Sequence, residues 1–472
     1  MFIDNFNKLI EICQISRHHV VIICCYSCAP IFIFVLPIIS FILMRPPAQV
    51  QASIELLDEI SQTRYPADRL MAQYFRNNRY IGSKDKAAIS EYVYGVLRKK
   101  LSYQYLLEKA ELAKDNRFLL AILLREQEQS LSDMYTGEKY HPRAFPKPVL
   151  ENLLAIDLAD LEQAPSHVQL NVPEWIASRL EAALGDRYTQ EMQAANQRAQ
   201  TDIRVNLLKS SLAQTQQMMQ EVGYKPEPSG LSPWGLRFNQ RVALFGLDAF
   251  KQGWFEVQDT GSQVLALVSQ VKPGGKVVDF CAGAGGKTLA MAAMMENKGT
   301  IYACDVHSKR LEQLTKRTKR AGAHNVRTHL LSSENDKWVK KHCNIADVVL
   351  IDAPCTGTGT WRRSPDSRWN LQPENLENLK ALQQSILQSA SRLVKPDGQI
   401  LYATCSLLTE ENEDQITEFL NANPQFERGE LELPETLTQN LDRIDSHKHQ
   451  LRLFPGLSGT DGFYVAALRR KT

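Results

Sequence analysis

Two cysteines lie where reactive thiols are expected. Cys355 stands in the segment Asp-Ala-Pro-Cys-Thr-Gly-Thr-Gly, which begins at Asp352, and Cys405 stands in Ala-Thr-Cys-Ser. Each follows an apolar run that predicts a strand. Thiols suit attack on a carbon that other nucleophiles reach only with difficulty. Two thiols and a carboxylate over one bound cofactor would therefore be suited to covalent catalysis on a pyrimidine ring.

The chemistry that such a set could perform is methylation at C5 of cytosine. C5 is a poor nucleophile until a thiolate adds at C6, after which C5 can attack a sulfonium methyl group. A further group must protonate or hydrogen-bond the ring, and loss of the C5 proton and of the sulfur completes the cycle. Cys405 and Cys355 can supply the sulfurs and Asp352 the acid function. Lys287 would lower a thiol pKa if it lies close.

The other cysteines of the C-terminal half are interpreted differently. Burial as a small apolar side chain is the commoner fate of a single cysteine. We assign Cys281, Cys304 and Cys343 to packing or to contacts through the backbone alone. Packing explains Cys355 and Cys405 less well, because both follow strand ends within distinctive motifs.

A glycine-rich turn follows the first predicted strand of the C-terminal half. Gly283, Gly285 and Gly286 precede a predicted helix, and glycine lets the backbone approach a ligand closely. The helix N-terminus would add free amides that suit a carboxylate or a phosphate. Tight packing between strand and helix is the alternative explanation of these glycines.

The spacing within this turn separates cofactor classes. The pattern Gly-x-Gly-Gly does not match the dinucleotide fingerprint, and the phosphate-binding Walker pattern is also missing. S-adenosylmethionine fits better, because it needs places for an amino-acid part and a ribose but no pyrophosphate cradle. Asp305 ends the second predicted strand, where it could accept hydrogen bonds from ribose hydroxyls.

Strands and helices alternate from about residue 255 onward, which predicts a parallel sheet with helices on both faces. In such sheets ligands bind beyond the carboxyl ends of the strands, so the turn and both cysteines should meet there. The predicted strands are 276–280, 300–305, 326–331, 346–352, 399–404 and 462–468, and the predicted helices are 287–295, 309–321 and 375–393.

The N-terminal half has a different character. Apolar residues recur three and four apart between about residues 50 and 135, which predicts helices, and the proline-containing stretch 141–148 ends this unit. Residues 150–250 mix helical and strand-like segments. We therefore divide the chain into an apolar extension at 1–43, a helical domain at 44–148, a connecting α/β region at 149–250 and a catalytic domain at 251–472.

Composition bounds the class of protein. The chain has 472 residues, of which 43% are hydrophobic and 23% charged, as is usual for a globular protein with two or three domains. The nine cysteines have no regular spacing, which argues against a disulfide framework and favours a reducing cytoplasm. The formal charge of +2 conceals basic clusters, among them Lys309 to Arg320. These clusters favour a polyanion, although a solvated helix face explains Lys309 to Arg320 as well.

The first residues raise a separate question. Residues 20–44 are almost wholly apolar and long enough for a membrane span. A real anchor, a segment resembling a signal peptide, and residues outside the functional protein are the three interpretations. We favour Met44 as the true start, so membrane association is expected only if 20–44 is an anchor. Cys25 and Cys28 lack nearby ligands for a metal, and no metal is expected.

Together these motifs are specific enough to indicate a family. The segments 280–288, 352–359 and 404–406 closely resemble the signatures of the Nol/Nop/Sun family of RNA cytosine-5 methyltransferases. Arg204-Val-Asn206, Val257-Gln-Asp259 and Asp461-Gly-Phe-Tyr464 are further matches. The segment 92–98 resembles the NusB-like RNA-binding domain of bacterial members. The resemblance implies a Rossmann-like S-adenosylmethionine methyltransferase domain, preceded by an all-α NusB-like domain and a mixed α/β linker domain.

The resemblance also implies roles for individual residues. Cys405 would be the nucleophile, and Cys355 would assist release of the methylated product. Where the family places an aspartate near the adenine, Ser332 lies closest in this chain. The S-adenosylmethionine and base pocket would be lined by Cys281, Ala282, Gly283, Ala284, Gly285, Gly286, Lys287, Asp305 and Asp352. The RNA would be faced by Arg204, Asn206, Gln258 and Asp259.

The sequence therefore predicts a monomeric, cytoplasmic enzyme that uses S-adenosylmethionine to form 5-methylcytosine in ribosomal RNA. The NusB-like segment favours the small subunit by analogy. Transfer RNA and large-subunit RNA are alternative substrates. A non-catalytic RNA-binding assembly factor that keeps the fold is the alternative from another class.

Overall fold

The computed structural model describes residues 44–240 and 242–471. A helical region comes first, a small antiparallel sheet follows, and a large mixed sheet with helices on both faces forms the rest. The residues 1–43, including the apolar segment up to residue 43 and both Cys25 and Cys28, lie outside the described part. None of the helices between residues 44 and 471, Arg241 left aside, is long and apolar enough to cross a membrane.

The helical region is built around one central helix. Asp115 caps this helix by accepting hydrogen bonds from the amides of Arg117 and Phe118, and every side chain from Phe118 to Leu124 is buried. A helix that is apolar all round must be enclosed by its neighbours. The helices of this region are α1 (Pro46–Gln62), α2 (Ala67–Asn77), α3 (Ser83–Arg98), α4 (Lys100–Lys109), α5 (Asn116–Glu126), α6 (Leu131–Met134), α7 (Lys147–Ala155) and α8 (Ser166–Gln169).

A four-stranded antiparallel sheet with the order β2-β3-β1-β4 connects the helical region to the large sheet. Its core contains Ile203, Leu236 and Phe255, contributed by three different strands. Its elements and the two helices before them are α9 (Glu174–Leu184), α10 (Tyr188–Ala195), β1 (Thr201–Val205), α11 (Leu212–Glu221), β2 (Glu227–Pro228), β3 (Gly235–Phe238), α12 (Asp248–Lys251) and β4 (Phe255–Val257).

The large sheet has the strand order β11-β12-β13-β9-β8-β5-β6-β7, and β10 also pairs with β13. Its strands are β5 (Lys276–Asp279), β6 (Thr300–Asp305), β7 (Val326–Leu330), β8 (Ala346–Asp352), β9 (Val394–Thr404), β10 (Phe426–Arg428), β11 (Asp445–His447), β12 (Gln450–Leu453) and β13 (Phe463–Arg470). Its helices are α13 (Thr260–Leu267), α14 (Gly286–Met294), α15 (Ser308–Ala321), α16 (Lys337–Lys341), α17 (Ser367–Asn370), α18 (Pro373–Ala390), α19 (Glu413–Ala422), α20 (Glu435–Thr438) and α21 (Pro455–Ser458).

Parallel pairing joins β5 to both β6 and β8, and extends to β7 and β9. The chain runs from β5 outward through β6 to β7, and then returns to the other side of β5 with β8. Strand order thus reverses between β5 and β8, which is where open α/β sheets bind ligands. The Rossmann-like class predicted from the sequence is confirmed.

The largest difference from a predicted strand is in β9. The predicted strand began at Gln399, yet β9 begins at Val394 and includes Pro396 and Gly398. The register shifts between the pairs Ala346–Val394 and Val348–Gln399. An irregularity of this kind accommodates turn-forming residues without ending the strand.

Candidate active site

Four strand ends surround one cavity of about 530 Å³. Asp279, Asp305 and Asp352 end β5, β6 and β8, and Cys405 directly follows β9. The volume lies within the range of roughly 300–1,000 Å³ that is usual for small-molecule sites. The predicted residues that line the cavity are Cys281, Ala282, Gly283, Ala284, Gly286, Lys287, Asp305, Asp352, Cys355 and Cys405.

The glycine-rich turn forms the floor of this cavity. Gly285 precedes α14 in the left-handed conformation, with a φ of 85°. A Cβ atom added there would approach the Leu314 side chain to 2.6 Å, so Gly285 serves the packing of α15 and does not line the cavity. Gly283 also has a positive φ of 55° but borders open space. The turn therefore needs glycine for backbone shape at two positions and for helix packing at one.

The two predicted catalytic cysteines are in direct contact. Their Sγ atoms lie 3.3 Å apart at one wall of the cavity. The hydrogen bond with Cys405, together with burial, raises the pKa of the Cys355 thiol well above its ordinary value. Cys355 therefore keeps its proton near neutral pH and can donate it as a hydrogen bond to a Cys405 thiolate.

An ion pair stands beside the thiols. The Lys287 Nζ atom donates a hydrogen bond of 2.7 Å to the Asp352 carboxylate. Burial alone would lower the pKa of Lys287, but the charge and hydrogen bond of Asp352, together with the nearby Asp279 and Cys405, raise it. Lys287 also interacts electrostatically with Cys405, which is the proximity that the sequence alone left open. A fixed ammonium group at this place stabilises negative charge on a neighbouring sulfur.

Asp279 was not singled out from the sequence as a site residue. Its side chain lines the cavity and is 1% exposed; one carboxylate oxygen accepts a hydrogen bond from the Thr288 hydroxyl, and the other has no partner. Burial raises the pKa of Asp279 to about 7. An unpaired buried oxygen calls for a donor, so this position suits a cationic ligand group such as an ammonium. Its place as the last residue of β5, before the glycines, was the available signal.

Asp305 supports the turn as well as bordering the cavity. Its two oxygens accept hydrogen bonds from the amides of Gly283, at 2.8 Å, and His307, at 2.7 Å. A carboxylate has about four lone-pair directions, so capacity for further donors remains. Asp305 is therefore oriented rigidly toward the cavity by the backbone on both sides of it.

The loop that carries Cys355 is fixed by a buried carboxylate. Glu411 is fully buried and accepts hydrogen bonds from the amide and hydroxyl of Thr356 and from the Gln383 side chain. Burial raises the pKa of Glu411 despite these hydrogen bonds. Thr356, the residue after Cys355, is thus held to Glu411 through both its amide and its hydroxyl. Nothing in the sequence distinguished Glu411 from the neighbouring acids Glu410 and Glu413.

The residues predicted to face RNA lie behind the glycine-rich turn. Arg204 is 1% exposed and donates a hydrogen bond of 2.7 Å from Nε to Gln258, which in turn donates to Ser262 at the cavity wall. Burial lowers the pKa of Arg204 to about 10. These contacts link the small sheet to the cavity from the inside.

Asn206 and Asp259 make structural contacts too. The Asn206 side-chain amide is buried and donates to the carbonyl groups of Gly253 and Ala321, each at 2.8 Å. Asp259 caps α13 and pairs with Arg363 at 2.5 Å. Direct contact of these residues with RNA stays a prediction, and in this structure they connect the small sheet to the region of the large sheet.

Ser332 does not line the cavity. It is exposed and donates a hydrogen bond to Asp336 at 2.6 Å. Glu334, two residues later, lines the cavity instead, and its carboxylate accepts a hydrogen bond from Ser385. The predicted loop borders the cavity, but spacing alone does not show which of its side chains turns inward.

Two protein-family models match the sequence of this chain. The model described as 16S rRNA methyltransferase RsmB/F matches residues 266–469, which hold the turn, the ion pair and both cysteines. The model described as the ferredoxin-like domain of RsmF/B-like methyltransferases matches residues 172–244, which hold most of the small sheet.

Curated relatives and a solved structure agree with these matches. The probable ribosomal RNA small subunit methyltransferase B of Synechocystis is 32% identical over 321 residues, which are 66% of this chain and 70% of that protein. The ribosomal RNA small subunit methyltransferase B of Pasteurella multocida is 33% identical over 334 residues, 70% of this chain and 72% of that protein. The crystal structure of PH0851 superposes with a TM-score of 0.73 at 27% identity, covering 91% of this chain and all of that one.

Proposed function

This chain belongs to the family of 16S rRNA methyltransferases RsmB/F, and we propose that it methylates C5 of a cytosine in small-subunit ribosomal RNA. The resemblance noted in the sequence is confirmed at the level of the family. The observation that carries the finer assignment is the 3.3 Å contact between the sulfurs of Cys355 and Cys405 beside the Lys287–Asp352 ion pair. A methyltransferase acting on oxygen or on an exocyclic nitrogen has no need for two adjoining thiols.

S-adenosylmethionine is the cofactor, and when bound it supplies an electrophilic methyl group on a sulfonium sulfur. The residues of the cavity fit it. The unpaired oxygen of Asp279 suits its ammonium group, the free amides at the start of α14 suit its carboxylate, and Asp305 suits its ribose hydroxyls. The exposed side chains of Val306 and Leu382 and the buried side chain of Ile386 line the remaining part of the cavity, where an aromatic base would be sheltered.

Cys405 is the nucleophile in this proposal. Its thiolate would bond to C6 of the cytosine, which makes C5 nucleophilic toward the methyl group. Burial and the contact with Cys405 raise the pKa of Cys355, so Cys355 suits the role of the partner that holds a proton. The ammonium group of Lys287, which interacts with Cys405, places a positive charge beside the attacking sulfur.

Cys355 and Asp352 would complete the cycle. Asp352, held by Lys287, is assigned to hydrogen-bond the ring nitrogen and carry a proton to it. After C5 has been methylated, a solvent water would accept the C5 proton and the ring nitrogen would return its proton to Asp352. The electron pair left at C5 re-forms the double bond to C6 and expels the Cys405 sulfur as a thiolate, to which the Cys355 thiol can donate a hydrogen bond. Cys355 is assigned to this release because it contacts the departing sulfur directly, at 3.3 Å.

The target base has to leave its stack to reach the cavity, so a single-stranded or flipped nucleotide is expected. We further propose that the helical part, taken as residues 44–148, is the NusB-like RNA-binding domain, that 149–250 connects it to the catalytic domain, and that 251–472 performs the chemistry. The domains contact each other through the segment after Cys355, where the Trp369 ring nitrogen donates a hydrogen bond of 2.7 Å to the Leu97 carbonyl.

The experiment that tests this function is a nucleoside analysis. The full chain is incubated with S-adenosylmethionine and a transcript of small-subunit ribosomal RNA, and the digested RNA is analysed by mass spectrometry. We expect 5-methylcytidine as the methylated nucleoside. Transcripts of large-subunit RNA and transfer RNA serve as competing substrates.

Two controls make the result decisive. The Cys405→Ala variant should bind the cofactor and form no methylated nucleoside, and the Cys343→Ala variant, altered at an exposed cysteine far from the cavity, should behave like the original chain. Methylation of another nucleoside, or preference for one of the other transcripts, would overturn the corresponding part of the proposal.

A further inference from the structure

The segment from residue 307 to residue 342 has a strong positive net charge, unlike the rest of the chain. It contains ten lysine and arginine residues and three acidic residues, which gives a net charge of +7. The whole chain has a net charge of +2, so the remaining residues sum to −5. The segment comprises α15, the edge strand β7 and α16, and it therefore concentrates positive charge at one edge of the large sheet.

Internal ion pairs do not account for most of this charge. Only Arg317 and Arg320 are half-buried, and both pair with the Glu256 carboxylate. Within residues 44–240 and 242–471, the other cations of the segment are exposed and have no carboxylate within ion-pair distance; they are Lys309, Arg310, Lys316, Lys319, Arg327, Lys337, Lys340 and Lys341. Asp336 is one of the three acidic residues of the segment. Its carboxylate caps α16 and accepts a hydrogen bond from the Ser332 hydroxyl, so it does not pair with these cations.

An aromatic stack lies in the middle of these cations. The Trp338 ring stands between His329 and His342, with ring centroids 5.1 Å and 4.2 Å apart and interplanar angles of 25° and 21°. His329 belongs to β7 and the other two rings to α16 and its end, so the stack fixes the helix against the edge strand. All three rings are half-buried, which leaves part of each at the surface.

The two helices flank the edge strand on opposite faces of the sheet. Trp338 packs with Tyr302 in one core cluster, whereas Leu311 and Leu314 of α15 pack with Ala303 in another. Successive residues of a strand point to opposite faces, so Tyr302 and Ala303 place α16 and α15 on either side. Arg310 also lines the cofactor cavity. The positive edge thus begins at the mouth of the active site and continues around β7.

We propose that this edge, made of β7, α16 and the exposed face of α15, is a second RNA-binding surface that holds phosphates of the substrate outside the catalytic cavity. The inference rests on the proposed function, since it names the same substrate. Exposed lysines without counter-ions match a phosphate backbone, and ring edges interleaved with cations are typical of surfaces that bind nucleic acid. Contacts with phosphates do not depend on the RNA sequence. The surface would therefore increase the affinity for RNA and fix the position of the RNA on the protein.

The test is a charge reversal at three exposed lysines, Lys337→Glu, Lys340→Glu and Lys341→Glu, in the full chain. Binding to a transcript of small-subunit ribosomal RNA is measured over a range of salt concentrations. Because each phosphate contact contributes about 0.7–0.9 to the slope of log affinity against log salt, the slope should fall by about 2–3. Affinity at moderate salt should fall by about tenfold or more, and KM for RNA should rise accordingly.

A matched control carries the same charge change elsewhere. Lys272, Lys276 and Lys448 are exposed and lie away from this edge, so their replacement by glutamate should leave the salt slope unchanged. Circular dichroism and cofactor affinity report whether each variant retains its fold. Equal losses in both triple variants would overturn the proposal, because the effect would then follow net charge alone.

Two further outcomes are informative. An unchanged affinity for naked RNA, with reduced methylation only of assembled ribosomal particles, would overturn the proposal in favour of a protein partner. If the original chain forms no 5-methylcytidine while the triple variant still loses RNA affinity and salt slope, the proposed function fails and the RNA surface stands. The two ideas can therefore fail separately.

Discussion

The sulfur atoms of Cys355 and Cys405 lie 3.3 Å apart, although the two residues are 50 positions apart in sequence. This contact arises because β8 and β9 are parallel neighbours, so that the loops after them leave the same edge of the sheet. The hydrogen bond and burial raise the pKa of Cys355. The topology of the sheet therefore brings together the two thiols to which we give the proposed roles of nucleophile and release group.

Removing the cation beside the thiols should slow the reaction. In the Lys287→Met variant, neither the Asp352 carboxylate nor a Cys405 thiolate has its ammonium partner. We expect the rate of methyl transfer to fall by about 10²–10⁴-fold, as is usual when a group that sets protonation states is lost. The pH–rate profile should also change shape. The exposed Lys298 offers a control, since Lys298→Met should retain the full rate.

The buried carboxylate below the Cys355 loop should matter for release more than for attack. The Glu411→Gln variant replaces one acceptor oxygen by an amide group that has no acceptor to meet, which costs about 1–3 kcal/mol in the free energy of unfolding. Glu411 holds the residue after Cys355 through both the amide and the hydroxyl of Thr356, but reaches the residue after Cys405 only through the Ser406 hydroxyl. Because the support of Cys355 is weakened more, covalent RNA–protein complex should accumulate on denaturing gels. Glu410→Gln, next to it in sequence and only partly buried, should show neither effect.

The turn should tolerate no side chain at Gly285. A Gly285→Ala substitution combines a φ of 85° with a contact of 2.6 Å to Leu314, so the turn must shift. We expect calorimetry to show weaker binding of S-adenosylmethionine, whereas the affinity for RNA should be unchanged. Gly274→Ala separates the two causes in the free energy of unfolding, because Gly274 has a similar φ of 88° but borders open space. Equal losses of stability in both variants would show that the contact with Leu314 is unimportant.

Asp279 should make stability depend on pH in a direction opposite to that of most carboxylates. Its pKa is raised from 3.8 to about 7 by burial, so the folded chain binds a proton that the unfolded chain has lost. Stability should fall as pH rises from about 4 to about 7, by a few kcal/mol in total at about 1.4 kcal/mol per pKa unit. In Asp279→Asn this decline should disappear from urea unfolding of the cofactor-free protein, and cofactor affinity should decrease. Parallel pH profiles for both proteins would contradict the assignment.

The sequence predicted which residues meet at the cavity for a physical reason. Glycines in a turn, residues at strand ends and alternating patterns are local features, and they predicted the places of Gly283, Lys287, Asp305 and both cysteines. The catalytic roles of these residues stay predictions. Ser332 illustrates the limit, because the orientation of a loop side chain depends on tertiary packing that turned Glu334 inward instead. Glu411 illustrates another, since a buried acid can be recognised only from the donors that surround it.

The residues of the small sheet show a third limit. Arg204 and Asn206 matched a family motif, but the motif does not reveal that both are buried and hydrogen-bonded within the protein. Burial depends on how separate elements pack, and local sequence contains little information about it. Asp279 could have been predicted as a cavity residue, because an acidic residue that ends the strand before a glycine-rich turn is a local signal in the sequence.

The central claim is that the sulfur of Cys405 bonds to a cytosine and that Cys355 permits its release. The most direct measurement incubates the Cys355→Ala variant with S-adenosylmethionine and small-subunit ribosomal RNA, and then identifies the attachment site by mass spectrometry of the digested complex. We predict a complex that survives denaturation, with the nucleotide joined to Cys405, and no complex in the double variant that also carries Cys405→Ala. A stable complex attached at any other residue, or efficient turnover by the Cys405→Ala variant, would contradict the account.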